Sequence, residues 1–356
     1  MKILHTSDLH LGSPLTTRLP QDKIRERKGE LIETFERMIE EAVYERVGIV
    51  IIAGDLFDTE KITRSTAERV VRAIERCPSI DFLYLKGNHE KDALVASGIT
   101  LPENLRMFGE GWTYFDYGEL TVSGRSEIAP GMFDELKLDY SRTNIAVLHG
   151  ALAEGRSGGE IIGRRELEGK HIDYLALGHY HTYSEHKTDD TGIAVYAGTP
   201  EGRGFDEVGE KGFVIIEADG RHVRHSFRPF AKRTLRILDV DLGGAESRAD
   251  VDKRVDSALS GIRHTDLVRL RLCGKRAPEL FPDEGAILSR WQSAFYHFEI
   301  RDESSIRIDP ADYKYDRSLK GEFIRLVTAK TDLSDKEKDK IIRTGLAALM
   351  GEENEI

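Results

Sequence analysis

Between Met1 and Glu90 the chain alternates short apolar runs with amphipathic stretches, and each apolar run ends in a polar loop. Lys2 to Ser7 reads as a strand. Asp22 to Arg46 reads as a helix with Ile24, Leu31, Phe35, Met38, Ile39 and Ala42 on one face. Gly48 to Ala53 is a second strand, Ser65 to Arg76 a second helix and Ile80 to Leu85 a third strand. This βαβ start predicts an open α/β sheet. From about Leu105 the helical signal fades and short strands dominate: Trp112 to Phe115, Leu120 to Ser123, Asn144 to Leu148, Tyr174 to Leu177, Ile193 to Ala197, Gly212 to Glu217 and Arg221 to Phe227. The expected core is a mixed α/β layer structure.

The basic segment Arg228 to Arg233 leads into a new pattern: strand Leu235 to Val240, helix Ala249 to Leu259, strand Leu267 to Leu272, helix Gly285 to Phe295 and strand His297 to Ile300. We read a second, smaller α+β domain there. Beyond Asp309 two amphipathic helices follow, Leu319 to Ala329 and Asp335 to Met350. The second opens with Ser334 and Glu337 at capping-box spacing and stops at Gly351. The expected division is 1–232, 233–310 and 311–356.

Composition narrows the function classes. Lys+Arg 52 against Asp+Glu 63 leaves a net charge of -11, which argues against a passive nucleic-acid coat but not against a nucleic-acid enzyme with local positive charge. Cys77 and Cys273 match no metal-knuckle or redox spacing, so any metal must use other ligands. No window approaches a membrane span and the first residues do not form a signal peptide, so a soluble, cytoplasmic protein without membrane contact is expected.

Five segments place metal-ligand side chains just past strands: Asp8 and His10 in SDLH, Asp55 in GDLFD, Asn88 and His89 in GNHE, His149 in LHG, and His179 and His181 in GHYH. In open α/β sheets, groups past the carboxyl ends of strands collect in one cavity. A carboxylate can bridge two divalent ions, imidazoles supply neutral nitrogens, and an amide oxygen completes a shell without charge. This nitrogen and oxygen set without thiolate suits Mn, Fe or Zn better than Ca or Mg, and such a pair performs in-line displacement at phosphorus. A group must protonate the leaving oxygen, and His89, beside Asn88, is the choice.

The ordered series SDLH, GDLFD, GNHE, LHG and GHYH resembles the calcineurin-like metallophosphoesterase superfamily over roughly residues 1–230. The resemblance implies a four-layer β-sandwich flanked by helices. It implies that Asp8, His10 and His181 hold one metal, Asn88, His149 and His179 the other, and that Asp55 bridges two divalent ions, Mn(II) first among them. The opening HTSDLHLG, the GDLFDT form and the stretch GTPEGRGFDEVGEKG look like the DNA-repair exonuclease branch, which contains SbcD-like and YhaO-like proteins and the meiotic-recombination-eleven nuclease. From that branch come further expectations: a capping α+β domain that selects DNA shape, a C-terminal helical segment that binds an SMC-like coiled-coil ATPase of the SbcC type, a homodimer, and nucleoid association. Archaeal and eukaryotic members place a histidine after the bridging aspartate to assist the catalytic histidine. Here Asp58 stands in that place, a candidate supporting residue that leaves open what orients His89.

The expected function is a metal-dependent DNA exonuclease or endonuclease of double-strand-break repair. The alternative keeps the fold and acts on small phosphoesters or phosphoproteins, and a third is a non-catalytic scaffold. His5, His171 and His186 read as core or surface histidines. Arg18, Lys23, Arg25, Arg27 and Lys28 occupy either a solvated helix face or a phosphate-facing one. The segment RHVRHSFRPFAKR reads as an edge strand or a nucleic-acid surface, and EGRSGGEIIG, lacking the Lys-Ser/Thr ending of a phosphate loop, as a mobile loop.

Overall fold

A computed structural model describes residues 1–15, 19–90, 93–220, 222–277, 280–307, 313 and 315–349. Arg18, Arg221, Asp309, Met350 and the expected helix stop at Gly351 lie outside the described residues. The chain divides into two compact units, Met1–Thr234 and Leu235–Ile356.

In the first unit the elements run β1 (Lys2–Thr6), α1 (Gln21–Tyr44), β2 (Ile49–Ala53), α2 (Arg64–Glu75), β3 (Asp81–Leu85), α3 (Ala93–Ala96), β4 (Leu105–Met107), β5 (Thr113–Tyr117), β6 (Leu120–Gly124), β7 (Thr143–His149), β8 (Ala151–Ala153), β9 (Ile161–Gly163), β10 (Tyr174–Gly178), β11 (Ser184–Lys187), β12 (Ile193–Tyr196), β13 (Gly212–Asp219) and β14 (His222–Pro229). They build two six-stranded sheets, ordered β14-β13-β1-β2-β3-β4 and β11-β12-β10-β7-β6-β5. The centre of each is parallel, β1 to β4 in one and β6, β7, β10 and β12 in the other, and the flanking partners are antiparallel.

β2 reads IVIIA and is buried throughout, as a central parallel strand covered on both faces must be. Its alternate residues face two cores. Ile49, Ile51 and Ala53 meet Ile145, Val147 and Ala176 of the other sheet. Val50 and Ile52 meet Phe35, Met38 and Ile39 of α1 and Val70 and Ile74 of α2. The two sheets therefore pack face to face, with helices on the outer side of the first. The outer face of the second sheet is covered differently, by the 3-10 turns Met132–Asp134 and Arg164–Leu167, the short strand β9 and adjoining loops, which supply Ile128, Phe133, Ile162 and Leu167. The fading helical signal after Leu105 has this cause.

α1 ends where Arg46 takes a left-handed φ of 57° and Val47 N–H returns to Ala42 O at 2.8 Å. α2 begins at Thr63, whose hydroxyl accepts from Thr66 N–H. β14 is the edge strand of its sheet, with burial that alternates along it, which explains the period in RHVRHSFRPFAKR. The segment EGRSGGEIIG is more ordered than the mobile loop expected of it. β8 and β9 pair across it, and the Ser157 hydroxyl and N–H both donate to Glu166. Arg27 is not available to phosphates: it is buried, donating to Glu30, Glu201 and Gly202 O at 2.5, 3.1 and 2.6 Å.

The second unit runs β15 (Leu235–Asp241), α4 (Arg248–Leu259), β16 (Leu267–Cys273), β17 (Lys275–Arg276), α5 (Glu284–Trp291), β18 (His297–Asp302), β19 (Ser305–Ile306), α6 (Leu319–Thr328) and α7 (Asp335–Leu349). β15-β16-β18 form a three-stranded parallel sheet whose Val240, Val268, Leu270 and Leu272 pack on Val251, Val255 and Leu259 of α4 and Ile287 of α5. α5 stops at Trp291 instead of reaching Phe295, because Phe295 turns back to stack between Trp291 and Phe298. Ile324 and Val327 of α6 and Ile342 and Leu346 of α7 close on Ile306. Ser334 and Glu337 form the reciprocal bonds of a capping box at the start of α7. Among the described residues no helix is long and apolar enough to cross a membrane.

Candidate metal centre

The parallel register brings the carboxyl ends of both sheets to one end of the sandwich. Thr6 pairs with Ile52, Ala53 with Leu85, and His149 with Gly178. The sheets are locked there across their faces, since His149 Nδ1 lies 2.9 Å from Ala53 O. That approach demands missing side chains. A methyl group on Gly54 would overlap the His149 ring, and one on Gly178 would overlap Ala53 O. The glycines that precede Asp55 and His179 in sequence are thus conditions of the site.

Asp8 and His10 lie past β1, Asp55 and Asp58 past β2, Asn88 and His89 past β3, His149 at the end of β7, and His179 and His181 past β10. Asp8, His10, Asp55 and His179 have φ of 53°, 45°, 51° and 106°, a left-handed region that costs a residue with a Cβ about 1 kcal/mol or more. Four strained residues in one small volume mark a place where position outranks local comfort.

Side chains of Asp8, His10 and His181 form one group able to hold an ion, and those of Asp8, Asp55 and His149 another. Asp55 Oδ2 lies 3.7 Å from His10 Nε2 and 3.3 Å from His149 Nε2, so it stands between them. Asn88 Oδ1 is 3.1 Å from His149 Nε2. The His179 ring sits edge-on to His149 at 5.6 Å between centroids, and its backbone N–H donates to Asp8 Oδ1 at 3.0 Å. All seven ligand candidates therefore meet at one end. His89 is exposed, its ring 5.1 Å from that of His10, and its N–H donates to Asp55 Oδ1 at 3.2 Å. Asp58 belongs to a group with His10 and His89.

The donor set fits cations. His10 Nε2 and His181 Nε2 are 3.2 Å apart, a separation at which two lone pairs repel unless a proton or a cation lies between them. Burial opposes charge on His149, yet the facing carboxylates of Asp55 and Asp8 override it and push its pKa up to about 9. Asp55 is the converse. Burial would raise it, but the bond and charge of His149 hold it at about 2. Nitrogen and oxygen donors from both sheets, gathered without a thiolate around the carboxylates of Asp8 and Asp55, are suited to divalent ions of the Mn, Fe or Zn kind.

Several partners were invisible in the sequence. Glu207 is buried, accepts from His181 Nδ1 at 2.7 Å and from Arg203 Nη2 at 2.7 Å, and is held at about 2 against burial by those two bonds. Glu160 accepts from Asn88 Nδ2 at 2.7 Å. Glu90 anchors the Asn88–His89 loop by accepting from Gly87 N–H and Phe57 N–H, and full burial raises its pKa to about 7. The one available signal was the clustering of Arg203 and Glu207 in GTPEGRGFDEVGEKG, four residues apart with no apolar period to explain them. The remaining histidines are not in the cluster. His5 is buried between the sheets against Tyr174 Oη, and the His171 ring packs at a tilt against Tyr140, 4.1 Å between centroids.

Residues 1–183 match the family model for calcineurin-like phosphoesterases. The chain belongs to that family. It is a metallophosphoesterase, a hydrolase of phosphoester bonds from a family that uses a dimetal centre. This phosphoesterase is 26% identical over 299 residues to the uncharacterized metallophosphoesterase YhaO of Bacillus subtilis, covering 78% of this chain and 73% of that one. It is 29% identical over 240 residues to the DNA double-strand break repair protein Mre11 of Sulfurisphaera tokodaii, covering 62% of this chain and 60% of the relative. Among solved structures, purple acid phosphatase PPD1 from yellow lupin seeds aligns with TM-score 0.43 and 14% identity, over 63% of this chain and 51% of that one.

Proposed function

We propose that this phosphoesterase is a Mn(II)-dependent DNA phosphodiesterase of double-strand-break repair. The observation that carries the reading is the meeting of Asp8, His10, Asp55, Asn88, His149, His179 and His181 from five separate segments, with His149 held by Ala53 O, Asn88 by Glu160 and His181 by Glu207. In this reading Asp8, His10 and His181 would hold one ion and Asn88, His149 and His179 the second, and Asp55, which stands between the two sets, would serve both. The similarity to Mre11 proteins, which spans about three-fifths of their length, supports DNA as the substrate.

Bound ions supply charge neutralisation at the phosphoryl oxygens and an activated water. The protein supplies the rest. His149, fixed by Ala53 O, and His10, faced by Asp58, present their Nε2 atoms inward without rotating. His89, exposed at the rim with its backbone tied to Asp55, donates a proton to the leaving oxygen. In the second unit Leu319 and Leu326 are 68% and 63% exposed on α6, which supports docking of that helix on an SMC-like ATPase coiled coil.

Cleavage of linear duplex DNA with Mn(II) tests the proposal. His89→Ala should lower the rate about 10²- to 10⁴-fold while leaving Mn(II) binding intact. Undiminished cleavage by both His89→Ala and Asp55→Asn would overturn the assignment. Efficient turnover of phosphomonoesters with no action on DNA would move the substrate to small phosphoesters.

A further inference from the structure

Resting on the metal-centre reading above, we propose that Arg203 is a positioning residue that holds both imidazoles of one metal position through two carboxylates. Arg203 lies in the stretch that follows the last ligand segment, and its guanidinium reaches two acids at once. Nη1 donates to Asp58 Oδ1 at 2.9 Å, while Nη2 and Nε donate to Glu207 Oε1 at 2.7 and 3.0 Å. The same two oxygens face the outer nitrogens of the ligand histidines. Asp58 Oδ1 lies 3.0 Å from His10 Nδ1, an ion-pair contact outside hydrogen-bond geometry, and Glu207 Oε1 accepts from His181 Nδ1 at 2.7 Å. The ring closes where His10 Nε2 and His181 Nε2 come within 3.2 Å of each other.

Each part of this ring needs the next. A carboxylate at Nδ1 fixes the proton there, which leaves the Nε2 lone pair for a cation and stops the ring from flipping. Asp58 and Glu207 are themselves largely buried, at 17% and 3% side-chain exposure. Without the guanidinium of Arg203 two carboxylates this buried would lack a fixed counter-charge. The planar fork of arginine reaches both, whereas the single ammonium of lysine reaches one at a time. Glu207 Oε2 also accepts from the Arg203 backbone N–H at 2.6 Å, so the Arg203–Glu207 half of the clamp lies within one short segment, while Asp58 comes from the loop past β2. The other position is arranged without it: His149 Nδ1 faces the neutral carbonyl of Ala53.

The test uses metal-stripped full-length protein titrated with Mn(II) by calorimetry, with the Mn(II) paramagnetic resonance line shape as a second readout. Arg203→Gln should weaken Mn(II) binding about 10- to 100-fold and change the line shape, and Arg203→Lys should recover part of the affinity. Thermal melts of the metal-free proteins separate positioning from folding. If Arg203→Gln does not fold, Asp58→Asn and Glu207→Gln carry the test, each with at least about tenfold weaker binding expected. Affinity within twofold of wild type, with an unchanged line shape, overturns the clamp. Wild-type protein that binds no Mn(II) overturns the metal-centre reading itself, and the clamp with it.

Discussion

Both units carry aspartates at the carboxyl ends of parallel strands, and they use them in opposite ways. In the second unit Asp241 ends β15 and accepts from Gly243 N–H at 2.8 Å, and Asp302 ends β18 and accepts from Ser304 N–H at 2.8 Å. Each satisfies the turn that follows it. In the first unit Asp8 and Asp55 stand two residues past their strands in left-handed conformations, and their carboxylates turn toward histidines from other loops. Among the described residues, all the groups able to hold an ion lie in the first unit. An acid at a strand end is therefore not enough. Convergence needs a second sheet packed face to face, so that loops from both sheets reach the same volume, and the three-stranded sheet of the second unit has helices on that side instead.

The largest expected effect comes from testing the two kinds of aspartate directly. Asp55→Asn should lower phosphodiester cleavage by about a thousandfold, roughly 4 kcal/mol, and weaken Mn(II) binding measured by calorimetry. Asp241→Asn, which keeps an acceptor for the turn, should shift denaturant stability by less than about 0.5 kcal/mol. Equal effects at the two positions would break the contrast.

Glycines sharpen it next. Gly178→Ala places a methyl against the backbone oxygen of Ala53, which cannot move without parting the sheets, and should cost about 3 kcal/mol or more in urea unfolding. Gly274→Ala, at a φ of 82°, meets the side-chain carboxylate of Asp241, which can swing away at the loss of its bond to Gly243 N–H, and should cost about 1 to 2 kcal/mol.

Acid should separate the units least but measurably. His5, buried between the sheets of the first unit, has its pKa lowered by burial from 6.5 to about 3. A histidine with a folded pKa below its unfolded one binds its proton only on unfolding, so its contribution is complete above pH 6.5 and is lost as pH falls toward 3. Between pH 7 and 4 this amounts to about 2 to 3 kcal/mol. His5→Gln should flatten the loss by that amount in denaturant titrations. An identical pH slope in wild type and variant would remove His5 from the account.

The strand ends, the helices of the first sheet and the ligand segments were legible because each is a local property. Apolar alternation in IVIIA, the capping pair Ser334 and Glu337, and Gly-Asp, Gly-Asn and Gly-His at strand ends all act over a few residues. The 3-10 cover of the second sheet and the folded turn in EGRSGGEIIG were not, since short turns carry no period. Arg27 was misread for another reason. A charge on a helix reads as solvated until its partners are known, and Glu201 lies 174 residues away.

Residue types at strand ends thus determined by themselves which side chains have the chemistry to hold ions and in which order they come. Only the tertiary structure decided that two sheets press their carboxyl ends together, that Gly54 and Gly178 permit it, and that Asp58, Arg203 and Glu207 stand behind the histidines. The physical reason is reach. A donor atom is a property of one residue, whereas a hydrogen bond that orients it needs a partner within about 3 Å, and that partner is supplied by packing between segments far apart in the chain.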